Sequence, residues 1–61
     1  MIKIYECTAE INMDASKYMT VTVKANTIKK AYKFATEKMK KNGAFFVGPI
    51  TIKEVSNERI N

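Results

Sequence analysis

Two stretches of the chain alternate apolar and polar residues with a period of two, which is typical of half-buried β-strands. The inward positions of the first stretch, Ile2–Met13, are Tyr5, Cys7, Ala9, Ile11 and Met13. Those of the second stretch, Tyr18–Ala25, are Met19, Val21, Val23 and Ala25. The residues between them, Asn12–Lys17, include Asn, Asp and Ser, whose short side chains favour turns. The pattern therefore predicts a β-hairpin.

The next stretch has apolar residues at helical spacing. Asn26 or Thr27 provides an N-cap oxygen, and Asn42-Gly43 provides a left-handed stop, so we predict a helix from about Thr27 to Asn42. At about 100° per residue, one arc of this helix faces the sheet. Its members are Ile28, Ala31, Tyr32, Ala35 and Met39. Phe34 lies at the edge of the arc, where a core position is favoured over exposure among lysines.

The last strand is predicted at Ile50–Val55, because Pro49 has no backbone donor and interrupts a ladder after Gly48. Ala44–Val47 is then a short strand or loop, and residues 56–61 are a frayed tail. The order strand, strand, helix, strand predicts a single α+β domain, residues 1–61, with a two-layer ββαβ architecture. A single helix covers one face of a three-stranded, mainly antiparallel sheet. We expect the last strand beside the first, antiparallel, rather than beside the second, parallel.

Composition narrows the function classes. The chain has 61 residues, one cysteine and no histidine, so catalytic triads, Cys-His pairs and nearly all transition-metal sites are excluded. We expect a protein that is not an enzyme and has no cofactor or metal. No apolar run resembles a signal peptide or a membrane span, which predicts a cytoplasmic protein without a membrane partner. A chain this short is marginally stable alone, so a homodimer is plausible.

Charge is concentrated on the predicted helix. The net charge is +5, and the segment from Asn26 to Gly43 accounts for all of it, with Glu37 as its one acidic residue. Its lysines are Lys29, Lys30, Lys33, Lys38, Lys40 and Lys41. The ordinary interpretation is a solvated helix surface. Lys29 and Lys30, however, lie in the first turn, where the helix dipole favours acidic residues.

A candidate binding surface follows from this pattern. It consists of Lys29, Lys30, Lys33, Phe34, Lys40 and Lys41. Phe45 and Phe46 are a second candidate, because adjacent strand residues point to opposite faces and one ring is expected to be exposed as a dimer or partner contact. The other sheet face is threonine-rich and nearly neutral, which disfavours RNA binding there.

The segment from Val21 to Met39, in which a strand ending in Val-x-Ala precedes a threonine cap and Ala31 and Ala35, resembles the strand-to-helix junction of DpnD/PcfM-like proteins. More distantly it is similar to the N-terminal module of HicB-type antitoxins. The resemblance covers about 20 residues and implies a small phage or mobile-element accessory protein. It implies no functional residue, and Lys29-Lys30 depart from the acidic helix starts of those families.

Three functions remain open. The leading hypothesis is a non-enzymatic binding protein whose lysine-rich helix contacts nucleic acid or a ribonucleoprotein, with little sequence specificity. The alternative is a protein-directed inhibitor or adaptor that uses Phe34, Phe45 and Phe46 as anchors on an acidic protein surface. The third is a dimeric structural module whose lysines provide solubility.

Overall fold

A computed structural model describes residues 2–56, which form three strands and one helix in the predicted order. Their bounds are β1 Lys3–Ile11, β2 Asp14–Ala25, α1 Ile28–Lys41 and β3 Val47–Ser56. The strand order is β2-β1-β3, and both pairings are antiparallel. The last strand therefore lies beside the first, and the predicted α+β ββαβ architecture is confirmed.

The hairpin turn is tighter than predicted. Asn12 and Met13 have φ values of 57° and 55°, and Ile11 pairs with Asp14, which is the geometry of a two-residue type I′ turn. The prediction that the turn spans Asn12–Lys17 is therefore wrong, because β2 begins at Asp14. One-to-one pairing resumes only at Tyr18, after an irregularity that leaves residues 15–17 of β2 without a partner on β1.

The helix has the predicted boundaries because both of its ends are capped. At the start, the Lys30 backbone amide donates a 3.1 Å hydrogen bond to Thr27 Oγ1. At the end, Gly43 has a φ of 111°. The Gly43 amide donates to the Lys40 carbonyl, and the Ala44 amide donates to the Met39 carbonyl, each at 3.1 Å. This pair of bonds is a Schellman motif, which satisfies carbonyls that the helix itself leaves free.

The contact between α1 and the sheet is narrower than predicted. Ala31, Ala35 and Met39 are fully buried, whereas Ile28 is 61% exposed and Tyr32 is 46% exposed. Only the centre of the predicted arc is therefore covered by the sheet. The expectation that Ile28 and Tyr32 are buried against the sheet is therefore wrong.

Strand β3 begins at Val47, three residues earlier than predicted, and runs through Gly48-Pro49. The pairing changes from Ile11↔Val47 to Ala9↔Ile50, so the two residues accommodate a β-bulge instead of ending the strand. Proline is tolerated here because β3 lies at a sheet edge and Pro49 falls within the bulge. A Cβ on Gly48 would lie 3.2 Å from the Glu10 carbonyl oxygen, which explains glycine there.

The core lies between α1 and the inner sheet face. Its buried members are Tyr5, Cys7, Ala9, Val21, Val23, Ala25, Ala31, Ala35, Met39 and Ala44. This confirms the predicted inner faces of the first two strands over these positions, with Met19 half-buried at the margin. The predicted frayed tail begins at Ser56, which instead ends β3, and residues 57–61 lie outside the described residues.

Candidate functional site

The lysine surface, which we define as Lys29, Lys30, Lys33, Lys40 and Lys41, is exposed at every position. The spacing of these five lysines places them on the solvent side of α1, since Ala31, Ala35 and Met39 occupy the buried side. The one ion pair found among residues 2–56 joins Lys3 of β1 to Glu54 of β3 at 3.7 Å and involves no helix lysine. Within that part of the chain, no carboxylate neutralises the lysine surface through an ion pair.

The first turn of α1 contains no acidic residue, whereas the last turn contains three lysines. Cations near a helix C-terminus are stabilised by the macrodipole, so Lys40 and Lys41 are in favourable positions. Lys29 and Lys30 are at the unfavourable end.

Phe34 is 40% exposed, so the interpretation of this ring as a core residue is wrong. It lies beside a shallow depression of about 330 Å³, whose other lining residues are Glu37, Lys38 and Lys41. The narrow helix-sheet contact described above leaves this flank of the helix uncovered. The ring is therefore an exposed apolar surface in a depression that it shares with two lysines and one glutamate.

Lys38 is the helix lysine whose side chain is tied to the sheet. Its Nζ donates a 2.8 Å hydrogen bond to the backbone carbonyl oxygen of Thr22 on β2. This contact shows that the flank carrying Phe34, Lys38 and Lys41 faces the β2 side of the sheet. Lys29, Lys33 and Lys40 lie on the other side of the lysine surface, since the helical period separates the two sets.

The outer sheet face has a different character from the helix. It carries Glu6, Thr8, Glu10, Tyr18, Thr20, Thr22, Lys24, Thr51 and Lys53. Two lysines balance two glutamates on it, and Thr8 and Thr20 share a 3.0 Å hydrogen bond between their hydroxyl oxygens. The positive potential of the described residues is therefore concentrated on one side of the molecule.

Phe45 and Phe46 form an apolar tip with Met13 beside the hairpin turn. Both rings are exposed, at 75% and 42%, and Met13 is 74% exposed. The Asn12 side-chain oxygen accepts from the backbone amides of Phe45 at 2.8 Å and Phe46 at 3.3 Å. The Asn12 amide in turn donates to the Phe46 carbonyl at 2.8 Å. Asn12 thus holds the two-phenylalanine segment against the turn.

The positioning role of Asn12 is absent from the sequence-based prediction, which treated this residue only as a turn former. The residues that it joins are more than thirty positions apart in the chain, and no local pattern reports such a contact. Its preference for positive φ was the one available signal. Met13 was predicted on an inward strand position, and its exposure follows from the turn ending the strand at Ile11.

Cys7 is fully buried on the inner face of β1, as expected for a core residue. Burial, and to a lesser extent the neighbouring Glu6 carboxylate, raises the pKa of its thiol. The protonated thiol is a poor nucleophile, so its chemistry is that of a small apolar side chain.

No group of three or more His, Cys, Asp or Glu side chains within residues 2–56 is placed to hold a metal ion. In that same part of the chain, no helix has the length and apolar character required to span a membrane.

Comparison with other proteins returns no match to a family model, to a curated protein or to a solved structure. The resemblance to DpnD/PcfM-like proteins therefore stays a prediction from the sequence.

Proposed function

We propose that the protein is a non-enzymatic binding protein whose lysine surface contacts the phosphate backbone of nucleic acid, alone or in a ribonucleoprotein. The observation that supports this proposal is the row of exposed lysines on α1 without an ion pair among the described residues. Lysine ammonium groups neutralise phosphates and release bound counterions, which supplies most of the free energy of non-specific binding.

Phe34 adds an aromatic surface at the margin of the lysines. An exposed ring beside cations is suited to stacking an unpaired base, and such stacking tolerates any base. Groups that read base edges, such as Asn, Gln or Arg, are scarce on the exposed side of α1. We therefore expect binding with little sequence specificity. We also expect the wild-type protein to bind single strands more tightly than the Phe34→Ala variant does.

The test compares two triple variants that remove the same charge. Lys29→Gln/Lys33→Gln/Lys40→Gln changes the lysine surface, and Lys17→Gln/Lys24→Gln/Lys53→Gln changes exposed lysines of the sheet. Affinity for fluorescent single-stranded and duplex oligonucleotides is measured by anisotropy between low and high salt. For the duplex, we expect the helix variant to reduce the slope of log affinity against log salt by about 2 to 3, since each lost phosphate contact removes about 0.9.

The control triple is expected to change affinity much less than the helix triple. Equal losses of affinity in the two variants would contradict the proposal, because binding would then depend on the net charge of the protein and not on the lysine surface. Absence of wild-type binding at low salt would also contradict the proposal.

The apolar tip supports a second candidate function, a protein-directed inhibitor or adaptor. Exposed phenylalanines held in place by hydrogen bonds are the kind of anchor that dominates protein interfaces. The test is affinity capture with nuclease treatment from cells that make the protein. A stoichiometric protein partner lost with Phe45→Ser but retained by the Lys29/Lys33/Lys40 triple variant is the expected result, and loss of every partner on nuclease treatment would contradict this candidate.

A further inference from the structure

The two outer edges of the sheet differ in how they are built. From Tyr18 to Ala25, β2 pairs with β1 one-to-one without an irregularity, and this stretch contains no proline or glycine. On the other side, β3 contains Pro49 and two register shifts against β1. Proline and bulges are devices that keep an edge strand from pairing with a further chain. In residues 2–56, they are present on β3 and absent from the regular part of β2.

The outer edge of β2 has an accessible backbone acceptor. Thr22 O accepts a 2.8 Å hydrogen bond from Lys38 Nζ, so this carbonyl is directed away from the ladder with β1. Backbone groups alternate in direction along an antiparallel strand, which places those of Thr20 and Lys24 on the same side as Thr22. Within the described residues no strand lies on that side. The Lys38 ammonium therefore occupies one acceptor of this edge. An added strand would instead donate backbone amides to the carbonyls along the edge.

Charge decides which kind of strand fits. A chain added beside β2 would lie under the flank of α1 that carries Phe34, Lys38 and Lys41. Together with Glu37 these residues line the depression there, and the two lysines outnumber the one carboxylate. A second copy paired through β2 would bring two such lysine-bearing flanks together, and like charges oppose that contact. An acidic strand instead places carboxylates beside Lys38 and Lys41, since alternate side chains of the added strand point toward the helix layer.

We propose that the β2 edge binds an extended acidic segment of a partner protein as a fourth strand of the sheet. Backbone hydrogen bonds to Thr20, Thr22 and Lys24 provide the pairing, as in other cases of strand addition. Carboxylates of the segment displace Lys38 from the Thr22 carbonyl and pair with Lys38 and Lys41. This binding mode goes beyond nucleic-acid binding, and it uses the flank of the helix that carries Lys38, sharing Lys41 with the lysine surface.

The experiment uses a synthetic ten-residue peptide of alternating threonine and glutamate with the isotope-labelled full chain. There are two control peptides. The first has the same sequence with N-methyl groups on alternate residues, and the second has lysine in place of each glutamate. We expect only the unmodified acidic peptide to slow amide hydrogen exchange at Thr20, Thr22 and Lys24 and to shift the signals of Lys38 and Lys41. N-methylation removes the backbone donors that a new strand requires.

Matched protein variants separate this proposal from the previous one. Lys38→Gln/Lys41→Gln is expected to weaken peptide binding by up to about thirtyfold, the effect of losing two surface ion pairs at the upper end of their range. Lys29→Gln/Lys33→Gln/Lys40→Gln is expected to keep peptide binding while losing affinity for nucleic acid. Retention of nucleic-acid binding with failure of the peptide would overturn only the strand-addition proposal.

Several results would overturn the strand-addition proposal. They are equal binding of the N-methylated or lysine peptide, signal changes confined to α1, or no binding of the acidic peptide at millimolar concentration. Protection of the β2 amides in the absence of peptide, together with a dimer in sedimentation, would assign this edge to a second copy of the chain instead.

Discussion

Asn12 and Met13 share a left-handed backbone conformation, but their side chains have opposite effects on the hairpin turn. Asparagine tolerates this conformation, and here its side chain also accepts two hydrogen bonds. Methionine has no such compensation, and left-handed φ values cost an ordinary residue about 1–2 kcal/mol. Its side chain is largely exposed, so packing does not repay that cost.

We therefore expect Met13→Gly to raise the free energy of unfolding by up to about 1 kcal/mol, after the entropy cost of glycine is subtracted. The matched variant Asn12→Gly relieves the same backbone conformation but removes the acceptor for the Phe45 and Phe46 amides. It is expected to lower the free energy of unfolding. Urea denaturation of both variants measures these changes, and stabilisation by Asn12→Gly would show that the side-chain hydrogen bonds contribute little.

Asp14, next after the turn, has an acidic side chain in a local hydrogen-bonded loop. The Ser16 hydroxyl at 2.7 Å and the Ser16 amide at 2.9 Å both donate to its Oδ1, and they lower the pKa of this carboxyl group. A folded-state pKa below the ordinary value gives stability at higher pH that is lost as the pH falls through the folded pKa. This contribution is thus complete at neutral pH and disappears in acid.

Helix α1 combines good caps with a poor charge distribution at its start. Both boundaries were predictable because capping depends on residues adjacent in sequence, and Thr27 and Gly43 act locally. The width of its buried face was not predictable, because it depends on how the helix is placed on the sheet, which is a tertiary contact. The early start of β3 was missed for a similar reason, since tolerance of Pro49 depends on which strand lies at the edge.

Charge reversal at the two ends of α1 should change stability in opposite directions. Lys29→Glu/Lys30→Glu is expected to raise the free energy of unfolding by about 0.3–1 kcal/mol per residue, since acidic groups complement the helix N-terminus. Lys40→Glu/Lys41→Glu makes the same change in net charge at the C-terminus and is expected to lower it. Thermal and urea unfolding provide the measurement.

Both charge-reversal variants are expected to lose affinity for nucleic acid. A variant that is more stable and binds less would show that the first-turn lysines are retained at a cost to stability. Equal stability changes at the two ends would instead contradict a dipole effect.

The exposed lysines on α1 were predictable from helical periodicity alone. The apolar tip was predictable only in part, since exposure of one phenylalanine was expected and both are exposed. Its attachment to Asn12 and the different construction of the two sheet edges required the tertiary structure. Sequence patterns therefore located the charged surface but not the sites that depend on strand order.

Uneven charge makes the whole molecule sensitive to salt. The positively charged lysines lie close together on α1 and repel one another. Salt reduces this repulsion, because it screens exposed charges beyond about 10 Å at 0.1 M. We expect the free energy of unfolding to increase between low and moderate sodium chloride, while affinity for nucleic acid falls over the same range.

The Lys29→Gln/Lys33→Gln/Lys40→Gln variant should show a weaker salt dependence in both measurements. The Lys17/Lys24/Lys53 control triple should retain the wild-type salt dependence of nucleic-acid binding. A fold whose stability is insensitive to salt in the wild type would indicate that the helix charges are already screened by water alone.

The position of β1 between the other two strands determines the order in which the sheet is completed during synthesis. The hairpin partner β2 follows β1 directly, but β3 leaves the ribosome about thirty residues after the end of β2, an interval of a few seconds at ordinary translation rates. Throughout that interval β1 has one unpaired side and its apolar face lacks part of its cover. The nascent chain is therefore open to misassociation along this side of β1 until β3 emerges.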